Sequence, residues 1–138
     1  MRCHSPIRAG LPLLLTACLW LAMPALAAPE RVVSINVCTD QLAMLIAGEG
    51  QLHAVSALAR DPNSSTMTGE AQAYAVNHAL AEEIFLMKPD LVLAGTFSSR
   101  ATVGLLRALG ITVEEFAPAR SFDDVRGNIG RMGALLGR

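Results

Sequence analysis

Asn77-His78-Ala79-Leu80-Ala81-Glu82-Glu83-Ile84-Phe85-Leu86-Met87-Lys88-Pro89-Asp90-Leu91-Val92-Leu93-Ala94-Gly95-Thr96-Phe97-Ser98-Ser99-Arg100 reads as a short helix, a hard stop, a buried strand and a polar loop. Asn77 suits a helix start, and Glu82 and Glu83 suit the positive end of the helix dipole. Leu80, Ile84 and Met87 recur at helical spacing and predict one apolar face. Lys88 fits the last turn. Pro89 ends the helix, because it lacks an N–H and restricts the residue before it. Asp90 to Ala94 then runs apolar without alternation, as a strand covered on both faces does. Gly95 breaks the strand and leaves Thr96 to Arg100 at its carboxyl end, which in a parallel sheet is where ligands sit.

The same alternation extends in both directions. Arg31 to Ile35 is strand-like by its β-branched content. Asn36 or Thr39 can cap a following helix whose inner face is Leu42, Leu45 and Ile46, with Gly48 at its end. Leu52 to Leu58 predicts a second strand, Arg60 to Gln72 a long polar loop, and Tyr74 to Val76 a short third strand. Beyond the central strand, Ser98 or Ser99 can cap a helix with Val103, Leu106 and Leu109 inward and Gly110 past its end. Ile111 to Phe116 is a strand whose Glu114 and Glu115 suit an edge. Ser121-Phe122-Asp123-Asp124 opens a last helix with the stripe Phe122, Val125, Ile129, Met132 and Leu136. Its Gly127, Gly130 and Gly133 each cost roughly 1 kcal/mol against alanine, which points to close backbone packing. The expected fold is α/β: a single Rossmann-like lobe with a mostly parallel sheet of about five strands flanked by helices.

Residues 1–27 read as a leader rather than fold. Arg2 and Arg8 precede the apolar run Leu11 to Ala22, and Ala25-Leu26-Ala27 supplies a small-x-small cleavage signal. The run is short and holds Pro12, so a cleaved secretory signal is preferred to a membrane span. Leu15-Thr16-Ala17-Cys18 also resembles a lipobox, which makes lipid anchoring at Cys18 the minor alternative. Cleavage removes two of 11 basic residues and none of the 12 acidic ones, leaving nine against 12 and a formal charge of −3. With no basic cluster, nucleic acid is not an expected partner. Cys3, Cys18 and Trp20 leave with the leader, so Cys38 is the lone remaining thiol and no intramolecular disulfide forms.

The leader, Arg31-Val32-Val33-Ser34-Ile35-Asn36, Lys88-Pro89-Asp90-Leu91-Val92-Leu93-Ala94, Leu105 to Val113 and Ser121-Phe122-Asp123-Asp124-Val125 occur in one order. Together they resemble the iron/cobalamin-type periplasmic substrate-binding proteins of ABC importers, over nearly all of residues 30–138. The resemblance implies a soluble periplasmic protein that captures a metal chelate, such as ferric siderophore, haem or cobalamin, and delivers it to an inner-membrane permease. The chelate is then cargo, with no cofactor and no directly bound metal. It also implies two lobes joined by a long helix. Residues 28–138 carry the pattern of the amino-terminal lobe alone, so the expectation is a fragment, a truncated reading frame, or a half that pairs with a second chain. At Glu82 the resemblance places an acid that pairs with a permease arginine; by its chemistry alone, Glu82 is equally a solvated helix residue.

Other candidates follow from their places after strands. Asn36, Cys38 and Asp40 follow the first strand; Cys38 sits where a helix start makes a thiol more reactive, or is simply a small residue, and Asp40 can act only as a cap. Arg60 and Asp61 follow the second, where arginine can grip an anionic group or the two can pair with each other. His78 is a ligand candidate beside the central helix, whereas His53 reads as structural. Phe97 can stack on a flat macrocycle, and Arg100 and Arg120 can meet anions, against the plainer reading as loop and helix-cap surface. A dinucleotide glycine fingerprint, a phosphate loop and a nucleophile elbow are all absent, so an enzyme is the least favoured reading. A secreted α/β scaffold or partner-binding protein without transport is the alternative to the importer reading.

Overall fold

The computed structural model describes residues 27–138. The expected leader, including the Cys18 lipobox, therefore falls almost wholly outside the described residues. Five strands, β1 (Val32–Ser34), β2 (Leu52–Ser56), β3 (Ala75–Asn77), β4 (Leu91–Gly95) and β5 (Val113–Phe116), alternate with four helices. These are α1 (Val37–Ile46), α2 (Ala81–Leu86), α3 (Arg100–Ala108) and α4 (Phe122–Leu135). All four strand pairings are parallel, in the order β3-β2-β1-β4-β5. The expected α/β lobe is the observed one, with β5 at an edge.

Parallel strands bury both faces, so neighbouring residues separate into two cores. Val32, Leu91, Leu93 and Phe116 pack with Met132 of α4, with Leu136 just past its end and with Ala43 of α1. Val33, Val92, Ala94 and Val113 pack with Ile84 of α2 and with Val103 and Leu106 of α3. The Lys88-Pro89-Asp90 junction joins these layers at the amino end. Lys88 is not in the last helical turn; it takes the left-handed conformation (φ 52°) just past the end of α2. The Asp90 carboxylate accepts the backbone N–H groups of Glu30 (2.6 Å) and Arg31 (3.0 Å), and Arg31 Nε donates to the Met87 carbonyl at 2.6 Å. One tripeptide thus stops a helix and aligns β1 beside β4.

Several inward assignments do not hold. Leu45 of α1 is 71% exposed, and the helix instead buries Thr39, Asp40 and Ala43, small or hydrogen-bonded groups that let it lie close to the sheet. Leu80 is 57% exposed because it precedes α2 in extended conformation, so Ala81 takes the inward place. Leu109 terminates α3 and is also exposed. In α4 only Met132 and Leu136 of the apolar stripe are buried. Gly127 and Gly130 have open space where a Cβ would stand, so close packing is not their reason. Asn77 is no helix cap: wholly buried, it donates through Nδ2 to the carbonyls of Ser34 (2.8 Å) and Val55 (3.0 Å), tying three strand ends together.

Candidate functional site

The sheet order reverses direction between β1 and β4, since β1 leads outward to β2 and β4 to β5. Side-by-side carboxyl ends at such a point leave a crevice between the departing loops. Asn36 ends β1 and caps α1, its Oδ1 accepting the Cys38 N–H at 3.0 Å. Gly95 ends β4 directly against it; a Cβ there would come within 2.8 Å of the Asn36 amide. The Ser98 hydroxyl accepts the Gly95 N–H at 3.1 Å, and the Thr96 N–H reaches the Phe116 carbonyl at 3.0 Å, holding the β4 loop to β5.

Above this floor lies a cleft of about 650 Å³, within the ordinary range for small-molecule sites. Leu42 and Leu45 of α1 form one wall, and Val125, Asn128 and Ile129 of α4 the other. Phe97, 81% exposed, stands at the mouth. Thr66 and Met67 of the long loop close the side; Gln41 Oε1 accepts from the Thr66 hydroxyl at 3.0 Å and anchors that loop to α1. A smaller adjoining cleft of about 490 Å³ is lined by Thr96, Phe97, Arg120, Asp123 and Asp124, among others.

Asn36, Cys38 and Phe97 are therefore brought together in the main cleft, with Arg120 in the adjoining one. The remaining candidates stand apart. Arg60 neither lines the cleft nor pairs with Asp61: its guanidinium donates to the carbonyls of Ala71 (3.3 Å) and Tyr74 (2.7 Å), closing its own loop. Asp61 accepts from Asn63 N–H (3.0 Å) and the Ser64 hydroxyl (2.6 Å), bonds that hold its carboxyl below the usual range while shaping a turn. Arg100 is drawn to Glu115 at 3.3 Å, which Arg107 also meets at 3.0 Å. His78 lies outside both clefts, with Nδ1 3.2 Å from Glu83, whose carboxylate also accepts the His78 N–H at 2.7 Å. His53 packs against Arg31, 2.8 Å away, at the opposite end of the sheet; burial first, and the nearby guanidinium second, lower its pKa.

Asp40 lies beneath the cleft. It is fully buried, accepts from the Ser56 hydroxyl at 2.5 Å and the Ser56 N–H at 3.2 Å, and so ties α1 to the end of β2. Burial raises its pKa, partly offset by hydrogen bonds from Ser34 and Ser56. Glu82 is exposed in the first turn of α2, away from the cleft.

Sequence reasoning missed Gln41, Met67, Thr96 and Asn128. Thr96 was legible as a residue after the central strand, but Met67 lies in a loop with no periodicity. Val125 and Ile129 have the helical spacing of a core stripe, but they line the cleft instead.

No family model matches the sequence, and no curated protein matches it. Solved structures do. The periplasmic vitamin B12 binding protein BtuF of Vibrio cholerae is 26% identical with a TM-score of 0.61, covering 78% of this chain and 41% of that one. The present chain folds as one lobe of a periplasmic binding protein. A periplasmic haem-binding protein from Pseudomonas aeruginosa matches at 19% identity and TM-score 0.63, covering 79% of this chain and 39% of that one. A protein of Staphylococcus epidermidis, described as a possible iron-binding periplasmic solute-binding protein, matches at 19% and 0.65, covering 80% and 43%. The lobe spans about two-fifths of the length of each. No helix among the described residues is long and apolar enough to cross a membrane.

Proposed function

We propose that the chain is the amino-terminal lobe of the soluble substrate-binding component of an ABC importer, acting in the periplasm after cleavage of a leader at residues 1–27. It offers the cleft between α1 and α4 to a metal chelate, carried as cargo, and Glu82 to an inner-membrane permease. The observation that carries this reading is the position of the cleft: a mostly apolar crevice at the carboxyl ends of β1, β4 and β5, on a fold shared with haem- and vitamin B12-binding proteins. Asn36, Cys38 and Phe97 are the contact residues, with Arg120 at the margin. Reactive chemistry has no role in this scheme.

Glu82 supports the docking role by its setting. The helix that carries it is held at both ends, by Glu83 on His78 and by Arg31 on the Met87 carbonyl. Its Ala79 and Lys88 flanks both have positive φ. An acid on so fixed a turn presents a defined charge to a partner. Titration of the chain with ferric siderophore, haemin and cyanocobalamin tests the reading: saturable binding of at least one supports it, and flat curves for all three contradict it.

A further inference from the structure

The main cleft holds no charged side chain among the described residues that line it. Its polar groups are the amides of Asn36, Gln41 and Asn128, the hydroxyls of Thr39, Thr66 and Thr96 and the Cys38 thiol, set among Leu45, Phe97 and Ile129. The cations at this end of the sheet are engaged elsewhere. Arg60 is held by two carbonyls, Arg100 and Arg107 by Glu115, and Arg131 by Glu114. Arg120 does reach the adjoining cleft, outside the main one, beside Asp124 and an Asp123 already paired with Arg126 at 2.8 Å. A carboxylate or phenolate entering the main cleft would lose water and find no counter-charge, the costly case for burial of an ion.

The amides are also oriented. Asn36 must turn Oδ1 toward the Cys38 N–H, which leaves its NH₂ group as a donor. Asn128 must turn Nδ2 toward the Ala117 carbonyl, 3.1 Å away, which leaves its Oδ1 as an acceptor. One donor in the floor and one acceptor on the α4 wall match a primary or secondary amide, which carries both.

We infer that the cleft selects a bulky neutral ligand with an apolar face and amide or hydroxyl groups at its edge, and rejects carboxylate-rich or phenolate-rich chelates. This rests on the reading of the cleft as a chelate site. The test is equilibrium dialysis of the 138-residue chain against cyanocobalamin, its monocarboxylic acid derivative (one peripheral amide hydrolysed) and haemin. Because a buried charge without a partner is heavily penalised, the neutral ring should bind at least about tenfold more tightly than the acid derivative or haemin. Ile129→Lys, which places a cation on the α4 wall, should shrink that ratio. Equal or tighter binding of the acid derivative or of haemin overturns the inference while leaving a chelate-binding lobe intact. Failure of all three ligands to bind overturns this inference, and the proposed function falls with it when ferric siderophore fails to bind as well.

Discussion

Gly95 and Asp40 show how single residues shape the cleft floor. Gly95→Ala puts a methyl group 2.8 Å from the Asn36 amide. Either the α1 cap is lost, at about 1 kcal/mol, or the floor is overpacked at about 1–3 kcal/mol. Urea denaturation should show that loss, and any ligand affinity should fall with it. Asp40 predicts a pH effect. Its folded pKa is raised by burial above the ordinary 3.8, so the folded state holds that proton more tightly than the unfolded chain does. The stability it contributes is therefore complete below 3.8 and is lost as pH rises through the folded value. Asp61 and Asp124 are shifted down by hydrogen bonds, so their contributions vanish only as pH falls below 3.8. Denaturation midpoints should decline with rising pH in the window above 3.8, and Asp40→Asn should flatten that decline without altering the acid limb.

At the scale of elements, α2 and α4 present faces that their sequences read differently from their packing. On α2, Glu82 lies one turn before Phe85 and Leu86 on the outward side, and the last two are 48% and 77% exposed. If Glu82 meets a permease, these two apolar side chains lie within the same contact. Glu82→Lys should then reduce permease-stimulated uptake or direct binding in a salt-dependent way, whereas Phe85→Ser should weaken binding with little salt dependence. On α4, Gly130 has open space around its absent Cβ. Gly130→Ala should therefore stabilise the chain by up to about 1 kcal/mol through helix propensity alone, measured as a raised denaturation midpoint. Gly133→Ala should gain less, because the Arg138 carbonyl stands 3.3 Å from the added methyl.

These elements also show what a sequence discloses. Pro89, the unbroken apolar run at Leu91 to Ala94 and the Ser121 cap announced strand and helix order directly, because each acts on its own backbone. Which apolar residues turn inward was less legible. Leu45, Val125 and Ile129 sit at helical spacing suited to a core, yet the lobe leaves them facing a cleft, and periodicity cannot tell a buried wall from an open one. Two of the arginines stand away from the cleft for a related reason. Arg60 and Arg100 follow strands as expected, but their guanidiniums are captured by Tyr74 and Glu115, partners that only the fold brings near.

For the molecule as a whole, an open cleft lined by the exposed Leu45, Phe97, Val125 and Ile129 is a concentrated apolar surface. Such patches mark interaction sites or cause self-association. Sedimentation of the chain alone should therefore show concentration-dependent association that weakens when ligand is added. The central claim is that the carboxyl-end crevice is where ligand is held. Nitrogen-15 correlation spectra of the labelled chain, recorded during titration with cyanocobalamin, haemin and a ferric siderophore, test it most directly. The account predicts saturable shifts at the amides of Asn36, Thr96, Phe97 and Asn128 with at least one of the three. Spectra unchanged by all three, or shifts gathered at Gly50 and Gly110 beyond the opposite ends of the strands, would contradict it.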